Sequence, residues 1–252
     1  MKIYSSFAKV YDRMMDNIPY EEWCDYLVTL LSLNDVSPGN HVVELGCGTG
    51  TMTKLLAEAG LVMTGIDLSE DMLEEARLKT DASYNITYLN QDMCSFRVNP
   101  KAEAVVSICD SMNYLLKDSQ MLAAMKAVHD NLVDGGVFIF DLKTDHFFRK
   151  KLGDKTYREE MDGFSYIWRN HYYKDKRIHK YGVKIFYDNP TREPDVEIHY
   201  QRAYSIESIV ELAQEAGFEA IEVYDAFTME KPRKRSERLY FVVKRNKQFK
   251  KL

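Results

Sequence analysis

The stretch VVELGCGTG, Val42–Gly50, decides how this chain is read. Val42 and Val43 open a short apolar run. Gly46, Gly48 and Gly50 follow directly, and an amphipathic segment then begins, so a buried strand turns sharply into a helix. Glycines at that turn let the backbone bend tightly and approach a ligand without Cβ obstruction. Dinucleotide-binding turns have the spacing GxGxxG. Here the third glycine comes one residue early, and Thr51 stands where it would be. Glu44 lies two residues before the first glycine, where a carboxylate repels a pyrophosphate and attracts a cationic ammonium or sulfonium. The turn therefore suits a ligand that carries positive charge.

Strand and helix patterns alternate on either side of this turn. His41–Leu45, Val62–Ile66, Ile86–Leu89, Ala104–Ile108 and Val137–Asp141 are expected as strands, with helices over Gly50–Ala59, Ser69–Lys79 and Asp118–Leu132. Runs such as AVVSI and GVFIF suit strands buried on both faces, so the fold class is α/β with an interior, mostly parallel, doubly wound sheet. Two amphipathic helical stretches, Tyr4–Met15 and Tyr20–Leu33, precede the first strand. After the fifth, FSYIWRNHYY (164–173), IHKYGVKIFY (178–187) and DVEIHYQRAY (195–204) alternate with period two. This is expected to be an antiparallel insertion of three or four strands over residues 155–204. It divides a main domain, residues 1–154 and 205–252, which closes with a helix (Ser205–Ala216) and a strand hairpin (Phe218–Phe227 and Arg238–Lys244).

The composition narrows the function. The 252 residues suit one large domain with a modest insertion, and 45% hydrophobic with 29% charged residues excludes collagen-like, disordered and low-complexity chains. Cys24, Cys47, Cys94 and Cys109 are widely spaced, with no CxxC pair and no His at ligand spacing, which argues against a disulfide framework or a metal site. No 18-residue apolar run or signal-like segment occurs, so a cytoplasmic protein without membrane association is expected. Residues 1–142 carry 10 Lys and Arg against 21 Asp and Glu, and residues 143–252 carry 24 against 18. The acidic first half disfavours a nucleic-acid partner. Solvated strand faces account for the basic second half better than an anionic partner does.

Asp67 ends the second strand, 21 residues after Gly46, where a carboxylate can accept from both hydroxyls of a ribose. Asp92 follows the third strand and can accept from an exocyclic amine while the Met93 N–H meets a ring nitrogen. An isolated Asp at a strand end is often only a helix cap, but these acids recur in successive βα units.

In ELGCGTG (44–50), GIDLS (65–69), NQDM (90–93), SICDSMNYLL (107–116) and LVDGGVFIFDL (132–142), the chain resembles the class I S-adenosylmethionine-dependent methyltransferases. The resemblance implies a Rossmann-like sheet of seven strands, the last antiparallel, with S-adenosylmethionine as cofactor. Within the matched motifs it implies Glu44, Gly46, Cys47, Gly48, Gly50, Asp67, Leu68, Gln91, Asp92, Met93 and Cys109 as cofactor-binding residues. The opening FAKVYDRMMD is similar to small-molecule N-methyltransferases of the amino-sugar and glycine type, in which an N-terminal aromatic helix covers the cofactor. Tyr4, Phe7 and Tyr11 recur at i, i+3 and i+7 there, with Tyr20 and Trp23 on the next helix. Tyr11 is the candidate to reach the sulfonium; simple packing is the other account of this face.

Methyl transfer is an in-line displacement in which positioning can supply about 7–11 kcal/mol. An amine acceptor must still arrive neutral, which makes a nearby polar group useful. Asp110, Asn113, Tyr114 and Asp141 sit at strand ends, with Asp110 as the leading catalytic candidate and helix capping as its alternative role; Tyr11 is the second catalytic candidate. In the insertion, Phe164, Tyr166, Trp168 and Tyr172 share a face that could wall a substrate pocket, with Arg169, His171 and Tyr173 opposite. His171 and His199 are weaker candidates for substrate contact, and His129 reads as structural. The expected activity is methyl transfer to nitrogen or oxygen of a small molecule by a monomer or homodimer. RNA methylation, through the basic insertion and PRKR (232–235), a non-catalytic cofactor-binding protein and a dehydrogenase are the alternatives.

Overall fold

Two helices, α1 (Ala8–Met14) and α2 (Tyr20–Ser32), lead into an alternation of β1 (His41–Leu45), α3 (Thr51–Glu58), β2 (Val62–Asp67), α4 (Glu70–Lys79) and β3 (Ile86–Asn90). Then come β4 (Ala102–Ser107), α5 (Asp118–Asn131) and β5 (Leu132–Lys143). A second series of strands follows, β6 (Thr156–Met161), β7 (Phe164–Tyr173), β8 (Ile178–Tyr187) and β9 (Asp195–Arg202), and the chain returns through α6 (Ile206–Glu215), β10 (Phe218–Asp225) and β11 (Arg238–Arg245). This computed structural model describes residues 7–189 and 191–246. Tyr4, expected on the aromatic face of the first helix, lies outside the described residues.

Alternation within the apolar runs divides them between two cores. Val43, Leu45, Val105, Phe138 and Phe140 pack on one face of the main sheet, and Val42, Ala104, Val106, Val137 and Ile139 on the other. The sheet order is β10-β11-β5-β4-β1-β2-β3. β1 through β5 pair in parallel, whereas β11 runs antiparallel between β5 and β10. The expected terminal hairpin forms, with its last strand inside the sheet and β10 at the edge. The order reverses between β1 and β4, and a crevice opens there at the carboxyl ends of the strands. β4 and β5 begin earlier than their apolar runs suggest, because Ala102 pairs with Leu132 ahead of a register shift.

The insertion is a separate four-stranded antiparallel sheet, β6-β7-β8-β9. Its inner face buries Phe164, Tyr166 and Tyr172, while Arg169, His171 and Tyr173 are exposed on the outer one. Phe7, Val10 and Met14 of the N-terminal segment pack against Phe164, Tyr181, Val183 and Ile185, so α1 belongs to the apolar core of the insertion. Asn113, fully buried, ties both chain crossings into this cap: its Nδ2 donates to the carbonyls of Lys143 (3.2 Å) and Arg202 (2.8 Å), and its Oδ1 accepts the Lys143 N–H (2.9 Å). Among the described residues no helix is long and apolar enough to cross a membrane.

Candidate active site

A cavity of about 810 Å³ occupies the crevice and continues beneath the insertion, within the range of about 300–1,000 Å³ typical of small-molecule sites. The glycine turn forms its floor. Gly46, Gly48 and Gly50 all have positive φ, at 70°, 54° and 73°. A Cβ on Gly46 would lie 2.6 Å from the Ser111 Cβ, and one on Gly50 would meet the Tyr88 hydroxyl and, at 2.9 Å, the Ala76 Cβ. A Cβ on Gly48 would meet nothing within 4 Å, and this residue lines the cavity. The outer two glycines thus let the turn pack, and the middle one leaves room for a ligand.

The acids at the strand ends have distinct duties. Asp67 holds the turn: its Oδ2 accepts the Gly48 N–H at 2.8 Å and its Oδ1 accepts the Ser69 N–H at 2.8 Å. Each oxygen keeps further acceptor capacity. Burial raises the Asp67 carboxyl above its ordinary range, against those backbone donors. Glu44 is buried, accepts from the Thr53 hydroxyl, and is pushed up to about 7 by burial, with the Asp67 charge adding and the Thr53 bond opposing. A cation arriving beside it would displace its proton. Asp92 is exposed and accepts the Cys94 N–H at 2.8 Å, and Gln91 exchanges hydrogen bonds with the Arg97 backbone. The Cys47 and Cys109 thiols are both pushed well up, by burial first and then by nearby carboxylates, so neither is a reactive thiolate.

Across the cavity, Cys109 and Asp110 form two consecutive left-handed residues, with φ of 58° and 60°. Asp110 precedes a 3-10 turn, Ser111–Tyr114, yet its side chain makes no capping bond. Its Oδ1 accepts from Arg238 Nη2 at 3.0 Å, and its Oδ2 accepts from Lys143 Nζ at 3.1 Å and Gln201 Nε2 at 2.6 Å. Burial raises this carboxyl, but Lys143 and Arg238 outweigh burial and hold it below its ordinary range. So held, Asp110 is a weak proton acceptor and a fixed negative charge. Behind it Asp141, fully buried, accepts from Arg238 and from the Asp110 N–H at 2.7 Å.

The roof is aromatic. Tyr11 lies 5.4 Å edge-on from Phe7. Burial first, and then Tyr20, Cys109 and Asp110, raise its phenol far above the usual value, so it remains a hydroxyl donor. Trp168 stacks on Tyr181 at 4.7 Å, and the Tyr181 and Tyr114 hydroxyls meet at 2.5 Å. His179 is neutral at physiological pH, pushed down to about 4 by burial and then by Lys143.

Tyr11, Glu44, Gly46, Cys47, Gly48, Asp67, Leu68, Gln91, Asp92, Met93, Cys109 and Asp110 all line this one cavity. Gly50 supports the turn from behind, while Asn113 and Asp141 act from outside the lining. His171 is on the exposed face with Asp154 (2.6 Å), His199 is buried against Tyr181 (4.6 Å), and His129 packs on Phe218 (5.5 Å). Sequence reasoning missed Lys143, Gln201 and Arg238, which carry no local motif and meet Asp110 only through the fold.

The known proteins agree with this geometry. Residues 42–136 match the family model described as "Methyltransferase domain". The chain is 32% identical over 247 residues to "Putative methyltransferase YqeM" of Bacillus subtilis (strain 168), covering 97% of this chain and 98% of that protein. A crystal structure of an S-adenosylmethionine-dependent methyltransferase from Clostridium acetobutylicum superimposes with a TM-score of 0.83 at 26% identity, covering 96% of this chain and 98% of the other. The sugar N-methyltransferase KedS8 from a Streptoalloteichus species shares the fold, with a TM-score of 0.79 at 17% identity and coverage of 98% and 95%. The chain belongs to the class I S-adenosylmethionine-dependent methyltransferases, and S-adenosylmethionine is its cofactor.

Proposed function

We propose that this methyltransferase alkylates a nitrogen or oxygen of a small molecule held between the main sheet and the insertion. The observation that carries the reading is that the cavity runs unbroken from the glycine turn to the aromatic underside of the cap. One end suits the cofactor. The room at Gly48 and the acid at Glu44 suit its amino-acid end, Asp67 its ribose, and Asp92 with the Met93 N–H its base. Leu68, an apolar side chain left 72% exposed at the cavity wall, gives the nucleoside a surface to cover.

The other end takes the acceptor. S-adenosylmethionine supplies an electrophilic methyl group on sulfonium. Tyr11, Tyr114, Tyr181 and Trp168 enclose the acceptor and exclude water, and Asp110 presents a fixed charge to orient a polar substituent. A weak base at Asp110 suits an acceptor that enters neutral, and positioning supplies most of the rate. KedS8, named as a sugar N-methyltransferase, has the same architecture and supports a small acceptor. The test is transfer of labelled methyl to a panel of small amines, amino sugars and phenols, run beside tRNA-sized RNA. Turnover on a small acceptor is expected, and turnover confined to RNA would overturn the reading.

A further inference from the structure

The Asp12 side chain fastens the cap to the glycine turn. Asp12, in α1, accepts from the Thr49 hydroxyl through Oδ1 at 2.5 Å and from Lys79 Nζ through Oδ2 at 2.5 Å. Lys79, the last residue of α4, also donates to the Thr51 hydroxyl at 2.9 Å. Thr49 lies between Gly48 and Gly50, is 2% exposed and lines the cavity, and Thr51 opens α3. Asp12 therefore bonds to the turn itself and to the helix beside it.

This attachment differs in kind from the other anchors of α1. Its apolar residues pack on the insertion, and Arg13 likewise turns that way, donating to the Asp162 carbonyl and stacking over Phe164 at 4.7 Å. A helix of 7 residues is too short to hold its own conformation in water, so its position is set by such attachments, among them a hydrogen bond between the Tyr11 and Tyr20 side chains. Moving α1 away from the turn needs the polar contacts of Asp12 to break, along with the Tyr11–Tyr20 hydrogen bond to α2, while the apolar contacts to the insertion travel with the cap. Tyr11 is the neighbouring residue and would leave the cavity with it.

We propose that Asp12 is a positioning residue: through Thr49 and Lys79 it latches α1 over the glycine turn, keeps Tyr11 in the cavity and sets the rate at which cofactor leaves. The inference rests on the reading that the cofactor's amino-acid end occupies that turn. Lys79 and Asp12 side chains are 32% and 43% exposed, so solvent screens the pair and the effect is moderate.

The experiment is a chase of labelled S-adenosylmethionine from the full-length chain by excess unlabelled cofactor. Asp12→Asn is expected to release label about three- to tenfold faster than wild type, the range that a few partly exposed polar contacts support. Its thermal midpoint should be unchanged. Lys79→Met should accelerate release less, and adding it to Asp12→Asn should add little, because both remove one latch. Arg13→Gln, altered on the same helix but toward the cap, should release at the wild-type rate. Should Asp12→Asn fail to fold, Thr49→Val takes its place with the same expectation. Release from the Asp12 or Thr49 variant within twofold of wild type, or equal acceleration by Arg13→Gln, overturns the latch. A wild-type chain that binds no S-adenosylmethionine overturns the underlying site reading as well, and that failure is seen before any variant is made.

Discussion

The two ends of the cavity are built by different means. At one end the glycine turn is held by Asp67 of β2 through the Gly48 N–H, and the acids beside it come from successive βα units, Glu44 on β1 and Asp92 after β3. Beneath the cap the surface is side chains gathered from distant segments, with Asp110 bonded to Gln201 and Arg238, 91 and 128 positions away. A backbone cradle fixes one ligand shape for a whole family. Side-chain walls can be exchanged without disturbing the sheet, so the proposed function assigns acceptor choice to the second end.

This contrast is broken most severely at Gly46. An Ala there combines left-handed backbone cost, about 1–2 kcal/mol, with contact against Ser111 at 2.6 Å. Cofactor affinity is expected to fall by about 100-fold, near 2.7 kcal/mol, measured by calorimetric titration with S-adenosylhomocysteine. An unchanged affinity would show that the turn can move and is no rigid cradle.

Asp110→Asn probes the other end. It leaves Lys143 and Arg238 without a full counter-charge and weakens charge-assisted hydrogen bonds worth about 1.5–3 kcal/mol each. Turnover on an accepted substrate should drop by about 30-fold, while cofactor affinity stays within about threefold. Equal losses in both would move Asp110 to the cofactor's side.

Glu44 sharpens the contrast through pH. With its carboxyl pushed up to about 7 in the free protein, it is mostly protonated at pH 6 and mostly ionised at pH 8, and the ionised form is the one that pairs with an ammonium. Affinity for S-adenosylhomocysteine should therefore weaken about tenfold on going from pH 8 to pH 6, since one pKa unit corresponds to a factor of ten. Glu44→Gln should bind more weakly at pH 8 and lose this dependence. A pH dependence that survives in Glu44→Gln would assign it to another group.

The sequence was legible where neighbours in the chain are neighbours in space. Strand, turn, helix and acid recur within short windows from Val42 to Met93, so periodicity and spacing locate the strand ends and the glycine turn that line one end of the cavity. Period two in 164–173 likewise separates the buried Tyr166 and Tyr172 from the exposed Arg169 and His171. The ion-pair network around Asp110 escaped because its partners come from the end of β5, from β9 and from β11, and it forms only when the last strand inserts beside β5. Asp12 escaped for a similar reason: its partners lie 37 and 67 positions away, and in a helical segment it reads as an ordinary solvated charge.

The most direct test of the account is a calorimetric titration of the wild-type chain with S-adenosylhomocysteine, run beside a nicotinamide and a flavin dinucleotide. A saturable one-to-one association with the sulfur nucleoside and none with either dinucleotide is the expected result. Association with a dinucleotide, and no heat from S-adenosylhomocysteine, would contradict it.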